Sequence, residues 1–143
     1  MTYPNPSTAL ASVVIDELIR GGLELVVAAP GSRSTALVLA AANRSDLQMV
    51  MAVDERSAAF QALGWCKASG SLAAVVSTSG TAVANLLPAV VEADAAGSPL
   101  VLLTADRPPE LRRVGANQTI EQPGIFGNFT RAVIEIGPAE SRA

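Results

Sequence analysis

Apolar residues recur along this chain in two rhythms. Leu10, Val13, Val14, Leu18 and Ile19 fall three and four apart, the spacing of one helix face. They predict a helix that starts at a Ser7 or Thr8 cap, runs to about Arg20 and stops at Gly21-Gly22. Short, largely apolar runs follow at residues 23–29, 48–53, 72–77, 100–104 and 132–136. They do not alternate polar with apolar, so they read as strands of a parallel sheet buried on both faces. The run at 49–53 is the central one: a buried strand that stops at Asp54-Glu55. Further helices are predicted over 35–42, 55–68 and 83–93. Pro88 lies inside the last of these, which must be bent or split, since a mid-helix proline costs about 3 kcal/mol. Residues 111–118 read as a loop and 120–129 as a short helix or a pair of turns, broken at Pro123-Gly124. Strand and helix alternate throughout, which predicts an α/β fold: a parallel sheet covered by helices on both faces. Residues 1–136 are expected to form the domain and 137–143 the start of a linker.

Composition narrows the function. The chain has 143 residues, enough for one domain with a sizeable core. Half the residues are hydrophobic but only 3% are aromatic, so Ala, Val and Leu must fill the interior. A formal net charge of −3 argues against a nucleic-acid partner, which needs a basic surface. The absence of His excludes an imidazole base or ligand within this chain, and the single Cys66 excludes an internal disulfide or a CxxC metal site. Cys66 falls in a helical run and reads as a small buried hydrophobe. Residues 1–7 carry no signal-peptide pattern, and no apolar run approaches the roughly 20 residues that span a bilayer. A cytoplasmic location is expected.

Candidate chemistry lies in the four turns that follow strands. In a parallel sheet these share the carboxyl edge, where α/β proteins bind ligands. They contribute Ser32 and Arg33, then Asp54-Glu55, then Thr78-Ser79-Gly80-Thr81, then Arg107. Asp54 suits a helix N-cap, and Glu55 in the first turn complements the helix dipole, so a structural role stands beside a chemical one. Pro30-Gly31-Ser32-Arg33 is neither GxGxxG nor a P-loop. It is an ordinary turn with Ser32 or Ser34 as cap, or an anion site built on Arg33. Two arginines on one edge suggest a dianionic substrate such as a dicarboxylate. Thr78–Thr81 is either a nest of backbone amides or a capping turn. Asn117-Gln118 lies in a polar loop.

Five motifs occur in order: Ala29-Pro30-Gly31-Ser32-Arg33-Ser34, Val53-Asp54-Glu55-Arg56-Ser57-Ala58, Thr78-Ser79-Gly80-Thr81-Ala82-Val83-Ala84-Asn85, Leu103-Thr104-Ala105-Asp106-Arg107-Pro108 and Gly115-Ala116-Asn117-Gln118-Thr119. Together they resemble the N-terminal pyrimidine-binding domain of the thiamine-diphosphate enzymes. The branch they look most like is the menaquinone-pathway synthases of 2-succinyl-5-enolpyruvyl-6-hydroxy-3-cyclohexene-1-carboxylate. The resemblance implies that Glu55 is the catalytic residue and exchanges a proton with N1′ of the cofactor's aminopyrimidine. It implies that Thr81 and Asn85 lie at the pyrimidine or a neighbouring subunit. It implies that Ser32, Arg33, Arg107 and Gln118 hold substrate carboxylates and hydroxyls, in agreement with the two-arginine inference. The implied reaction decarboxylates 2-oxoglutarate and adds the resulting carbanion to isochorismate, with the cofactor as electron sink.

The resemblance also implies Mg²⁺, held with the diphosphate by a GDG-to-Asn motif in a separate domain. No such motif occurs in these residues. No metal ligand is therefore assigned here, assembly as a homodimer or tetramer is implied, and the chain alone is expected to be inactive. Two other readings stay open. One is the pyrimidine domain of another thiamine-diphosphate enzyme, of the acetolactate synthase or decarboxylase type. The other is a stand-alone binding module on the same fold.

Overall fold

The computed structural model describes residues 5–139. Its elements are α1 (Pro6–Arg20), β1 (Leu23–Ala28), α2 (Thr35–Ala42), β2 (Gln48–Met51), α3 (Glu55–Ser69), β3 (Leu72–Ser77), α4 (Thr81–Ala84), α5 (Leu87–Ala96) and β4 (Leu100–Thr104). Two 3-10 turns follow, at Pro109–Leu111 and Gly127–Phe129. The start of α1 corrects the expected cap. Asn5 accepts the Thr8 N–H at 2.9 Å, and Pro6 opens the first turn, where a missing N–H is harmless. The 83–93 helix is split, as Pro88 requires: α4 ends at Ala84, and Pro88 sits in the first turn of α5.

The four strands are parallel and ordered β2-β1-β3-β4. Ala28 stands opposite Met51 on one side and Val76 on the other, and Val76 stands opposite Leu103. The strands therefore end level, and the four turns that follow them leave from one edge. The chain moves outward from β1 to β2, then from β3 to β4 in the opposite direction. The reversal puts a topological switch point between β1 and β3, where α/β sheets open a crevice.

Helices cover both faces. Ala11 and Ile15 of α1 and Ala40 and Ala41 of α2 pack on Val26, Ala28, Ala74 and Val76. On the other face, Ala58, Ala62, Leu63 and Cys66 of α3 and Val90 of α5 pack on Leu25, Val27, Ala73 and Val75. Alanines at these contacts let helix backbones approach the sheet closely. Each fully buried Val or Leu contributes roughly 1.5–3 kcal/mol. Cys66 is buried as expected: its Sγ–H donates to the Pro99 carbonyl at 3.1 Å, and burial pushes its thiol pKa up.

Two strand expectations need correction. The 48–53 strand ends at Met51 and is an edge, not a buried strand: Val50, Met51 and Val53 are 44%, 55% and 90% exposed. Its ladder partner β1 ends at Ala28, opposite Met51, so later residues have little to pair with. Residues 132–136 form no strand, and Val133 and Ile134 are exposed. Their apolar, β-branched composition suits a strand, but the segment pairs with neither open edge of the sheet, β2 or β4. Among the described residues, no helix is long and apolar enough to cross a membrane.

Candidate active site at the carboxyl edge of the sheet

Asp54 and Glu55 separate their tasks. The Asp54 carboxylate accepts the Ser57 N–H at 2.8 Å and caps α3, and these bonds to Ser57 hold its pKa below the usual carboxylate range. Glu55, relieved of capping, is half-buried in the first turn. Its Oε2 accepts a long 3.4 Å bond from Asn85 Nδ2, which ties the start of α3 to the end of α4. Among the described residues, no other hydrogen bond reaches this carboxylate.

The switch point is closed tightly. A Cβ on Gly31 would lie 2.2 Å from the Thr78 Cβ, so only glycine lets the β1 and β3 turns meet. Neither Ser32 nor Ser34 caps α2 through its side chain: the buried Ser34 hydroxyl donates back to the Gly31 carbonyl at 3.0 Å, and the Ser32 carbonyl accepts from Thr35 Oγ1 at 2.8 Å. The Ser32 side chain is exposed and Arg33 is half-buried. No hydrogen bond links either to the other candidate residues among those described.

Gly80 turns the chain from β3 into α4 at φ +86°, leaving Thr81 exposed at the first position of that helix. The amides of this turn, which the sequence leaves as a nest or a capping turn, are only partly free, because the Gly80 N–H is already bonded to Gln122 Oε1 at 2.7 Å. The loop of residues 117–122 folds over this turn. Ser79 Oγ donates to the Gln118 carbonyl at 3.2 Å, and Gln118 holds φ +56°. The Arg107 guanidinium reaches the Asn117 carbonyl, while its buried Nε has no partner among the described residues. Arg107 and Gln118 thus belong to one cluster with the β3 turn, and Glu55 and Asn85 form a second contact on the same edge.

Three residues that the sequence reading passed over hold this cluster. Asp106 Oδ1 accepts the Arg107 N–H at 2.7 Å, and Asp106 Oδ2 pairs with Arg112 at 2.9 Å. Burial pushes the Asp106 pKa up, and the Arg112 charge works against that rise. Gln122 is buried and bonds both Gly80 and Ala105. Its signal was a lone amide among the apolar or turn-forming residues Ile120, Pro123, Ile125 and Phe126.

Residues 8–125 match the family model described as the thiamine pyrophosphate enzyme, N-terminal TPP binding domain. This chain belongs to that family. Among curated relatives, it is 54% identical over 139 residues to the 2-succinyl-5-enolpyruvyl-6-hydroxy-3-cyclohexene-1-carboxylate synthase of Thermobifida fusca, covering 97% of this chain and 25% of the relative. It is 55% identical to the synthase of the same name from Mycobacteroides abscessus, covering 95% of this chain and 26% of the relative. It is 52% identical to that of Natronomonas pharaonis, covering 100% and 24%. The chain thus spans about a quarter of the length of the curated relatives it matches.

A thiamine pyrophosphate domain sets a test for its donor set. The pyrimidine ring calls for a carboxyl with hydrogen-bonding capacity to spare, and Glu55 meets this with its single long bond to Asn85. The close packing of Gly80 under Gln118, where a Cβ would lie 2.8 Å from the carbonyl oxygen, fixes the turn beside it. No three His, Cys, Asp or Glu side chains cluster as metal ligands among the described residues.

Proposed function

We propose that this domain supplies the pyrimidine half of the active site of a synthase that decarboxylates 2-oxoglutarate and joins the product to isochorismate. Thiamine pyrophosphate, when bound, provides the electron sink for the decarboxylation. Glu55 holds and returns a proton at N1′ of the pyrimidine, and Asn85 steadies its carboxyl. Thr81 lines the same end of the site. Ser32, Arg33, Arg107 and Gln118 bind the carboxylates and hydroxyls of the substrates. Arginine suits this task because its planar fork matches a carboxylate and stays charged. Mg²⁺ and the diphosphate are held by a domain beyond residues 1–136. A second copy of the chain is the proposed partner, supported by the exposed apolar side chains Met51 on β2, Val53 just after it and Phe60 on α3.

The observation that carries this reading is Glu55, a carboxyl on the sheet's carboxyl edge with one weak partner, in a chain 52–55% identical to the named synthases. The test uses the full-length protein encoded with this chain. Consumption of isochorismate is followed with 2-oxoglutarate, thiamine pyrophosphate and Mg²⁺. Glu55→Gln is expected to lower kcat by about 10²–10⁴-fold with the fold intact. Full activity in the variant returns Glu55 to helix-dipole duty alone. Turnover of pyruvate in place of 2-oxoglutarate moves the assignment to the acetolactate synthase or decarboxylase branch.

A further inference from the structure

Gln122 is 8% exposed, and both ends of its amide are used. Oε1 accepts the Gly80 N–H at 2.7 Å, and Nε2 donates to the Ala105 carbonyl at 3.0 Å. One partner only donates and the other only accepts. A neutral primary amide serves both at once. Asparagine has the chemistry but falls one methylene short.

The segments joined are far apart in sequence. Gly80 belongs to the turn that precedes Thr81. Ala105 follows β4 and leads through Asp106 to Arg107. Gln122 itself ends the loop that carries Gln118. Further bonds close the circuit. Ser79 Oγ holds the Gln118 carbonyl, the Arg107 guanidinium reaches the Asn117 carbonyl, and Asp106 Oδ1 takes the Arg107 N–H. Gln118 sits at φ +56°, a conformation that an L-residue keeps only where its surroundings hold it.

We propose that Gln122 is a positioning residue, which locks the residue 78–81 turn to Arg107 and Gln118 so that the cofactor side and the substrate side of the site share one geometry. Which side takes the cofactor and which the substrates rests on the functional reading above; the tie between the three segments stands on the bonds themselves. Gln122 touches neither substrate nor cofactor in this account. It acts through Gly80 on one side and Ala105 on the other.

The two bonds can be separated chemically. In Gln122→Leu both Gly80 N–H and Ala105 C=O lose their partner. In Gln122→Glu the ionised side chain still accepts from Gly80 but no longer donates to Ala105. A buried carboxyl titrates high, and its protonated form regains an O–H donor.

The experiment uses the full-length protein with 2-oxoglutarate, isochorismate, thiamine pyrophosphate and Mg²⁺. Gln122→Leu is expected to raise both the Kd for thiamine pyrophosphate and the KM for isochorismate by about tenfold, the size of a lost buried hydrogen bond. Gln122→Glu at about pH 8 is expected to raise only the KM, with the cofactor Kd within about threefold of the parent. Lowering the pH to about 6 is expected to bring that KM back toward the parent value. Amide hydrogen exchange gives a readout without turnover. In Gln122→Leu, residues 78–81 and 115–122 are expected to lose protection together while β1 and β3 keep theirs.

Unchanged KM, Kd and loop exchange, with only a smaller active fraction, would reduce Gln122 to a core residue and overturn the proposal. If Gln122→Leu does not fold, the pH-dependent KM of Gln122→Glu decides: no rescue at low pH overturns it. A parent protein that does not consume isochorismate overturns the functional reading instead, and the exchange data then judge the tie alone.

Discussion

Adjacent carboxylates at residues 54 and 55 behave differently because one has a backbone donor and the other does not. Asp54 takes the Ser57 N–H, and that bond depresses its pKa. A depressed folded pKa stabilises the fold above the unfolded value, near 3.9 for Asp, and the gain is lost as pH falls through the lower folded value. Asparagine caps a helix about as well without titrating. Asp54→Asn is therefore expected to flatten the loss of melting temperature between about pH 5 and about pH 2, relative to the parent. Identical pH curves for the two proteins would mean that the cap bond does not survive in solution. Because Asp54 takes the capping position, Glu55 is left with only Asn85.

Elements meet at this site through residues with no side chain to spare. The β1 and β3 turns touch at Gly31 and Thr78, where a methyl group on Gly31 has no room. Gly31→Ala is expected to destabilise the protein by about 1–3 kcal/mol, the usual range for overpacking. Combining it with Thr78→Gly, which removes the opposing Cβ, is expected to recover part of that loss by coupling between neighbours. Urea denaturation of the four proteins measures both. Additive losses would mean that the turns do not press on each other at this point. The split between α4 and α5 follows the same logic of local chemistry. Pro88 lacks an N–H to donate, and the break puts it where a helix start does not need one.

Across the whole molecule, apolar surface is unevenly shared. Val53 is 90% exposed and Met51 55%, and Phe60 on α3 is 43% exposed. Large apolar side chains left this open to solvent are candidates for an interaction surface. Self-association of the full-length protein through these side chains predicts that Val53→Asp and Phe60→Asp shift it toward monomer in sedimentation velocity. A parent protein that sediments as a monomer at every concentration would remove a second copy as the partner. Met51 lies on the edge strand β2, and a strand edge with no neighbour is the usual place for one to be added or guarded against.

What the chain determined by itself is everything that depends on near neighbours in sequence. Alternating apolar runs and helical stripes set the α/β class, and β3, β4 and α2 fall at their expected residues. The strand β3, buried at all but its first residue, shows how burial on two faces writes a near-continuous apolar run. The strand-end turns that carry Ser32, Arg33, Glu55, Thr81 and Arg107 were legible because a strand stops where its polar residues begin, whereas Gln118, in a loop beyond β4, was singled out only by the family resemblance. The tertiary structure alone decided which strands are edges, since β2 and β4 carry the same kind of apolar run as β1 and β3 yet have one neighbour each. It alone denied residues 132–136 a strand, because a strand needs a partner that sequence does not name. It alone revealed Gln122, whose importance lies in two bonds to backbone groups 42 and 17 residues away. Hydrophobic pattern is written locally, whereas hydrogen bonds between distant segments exist only once the sheet has brought those segments together.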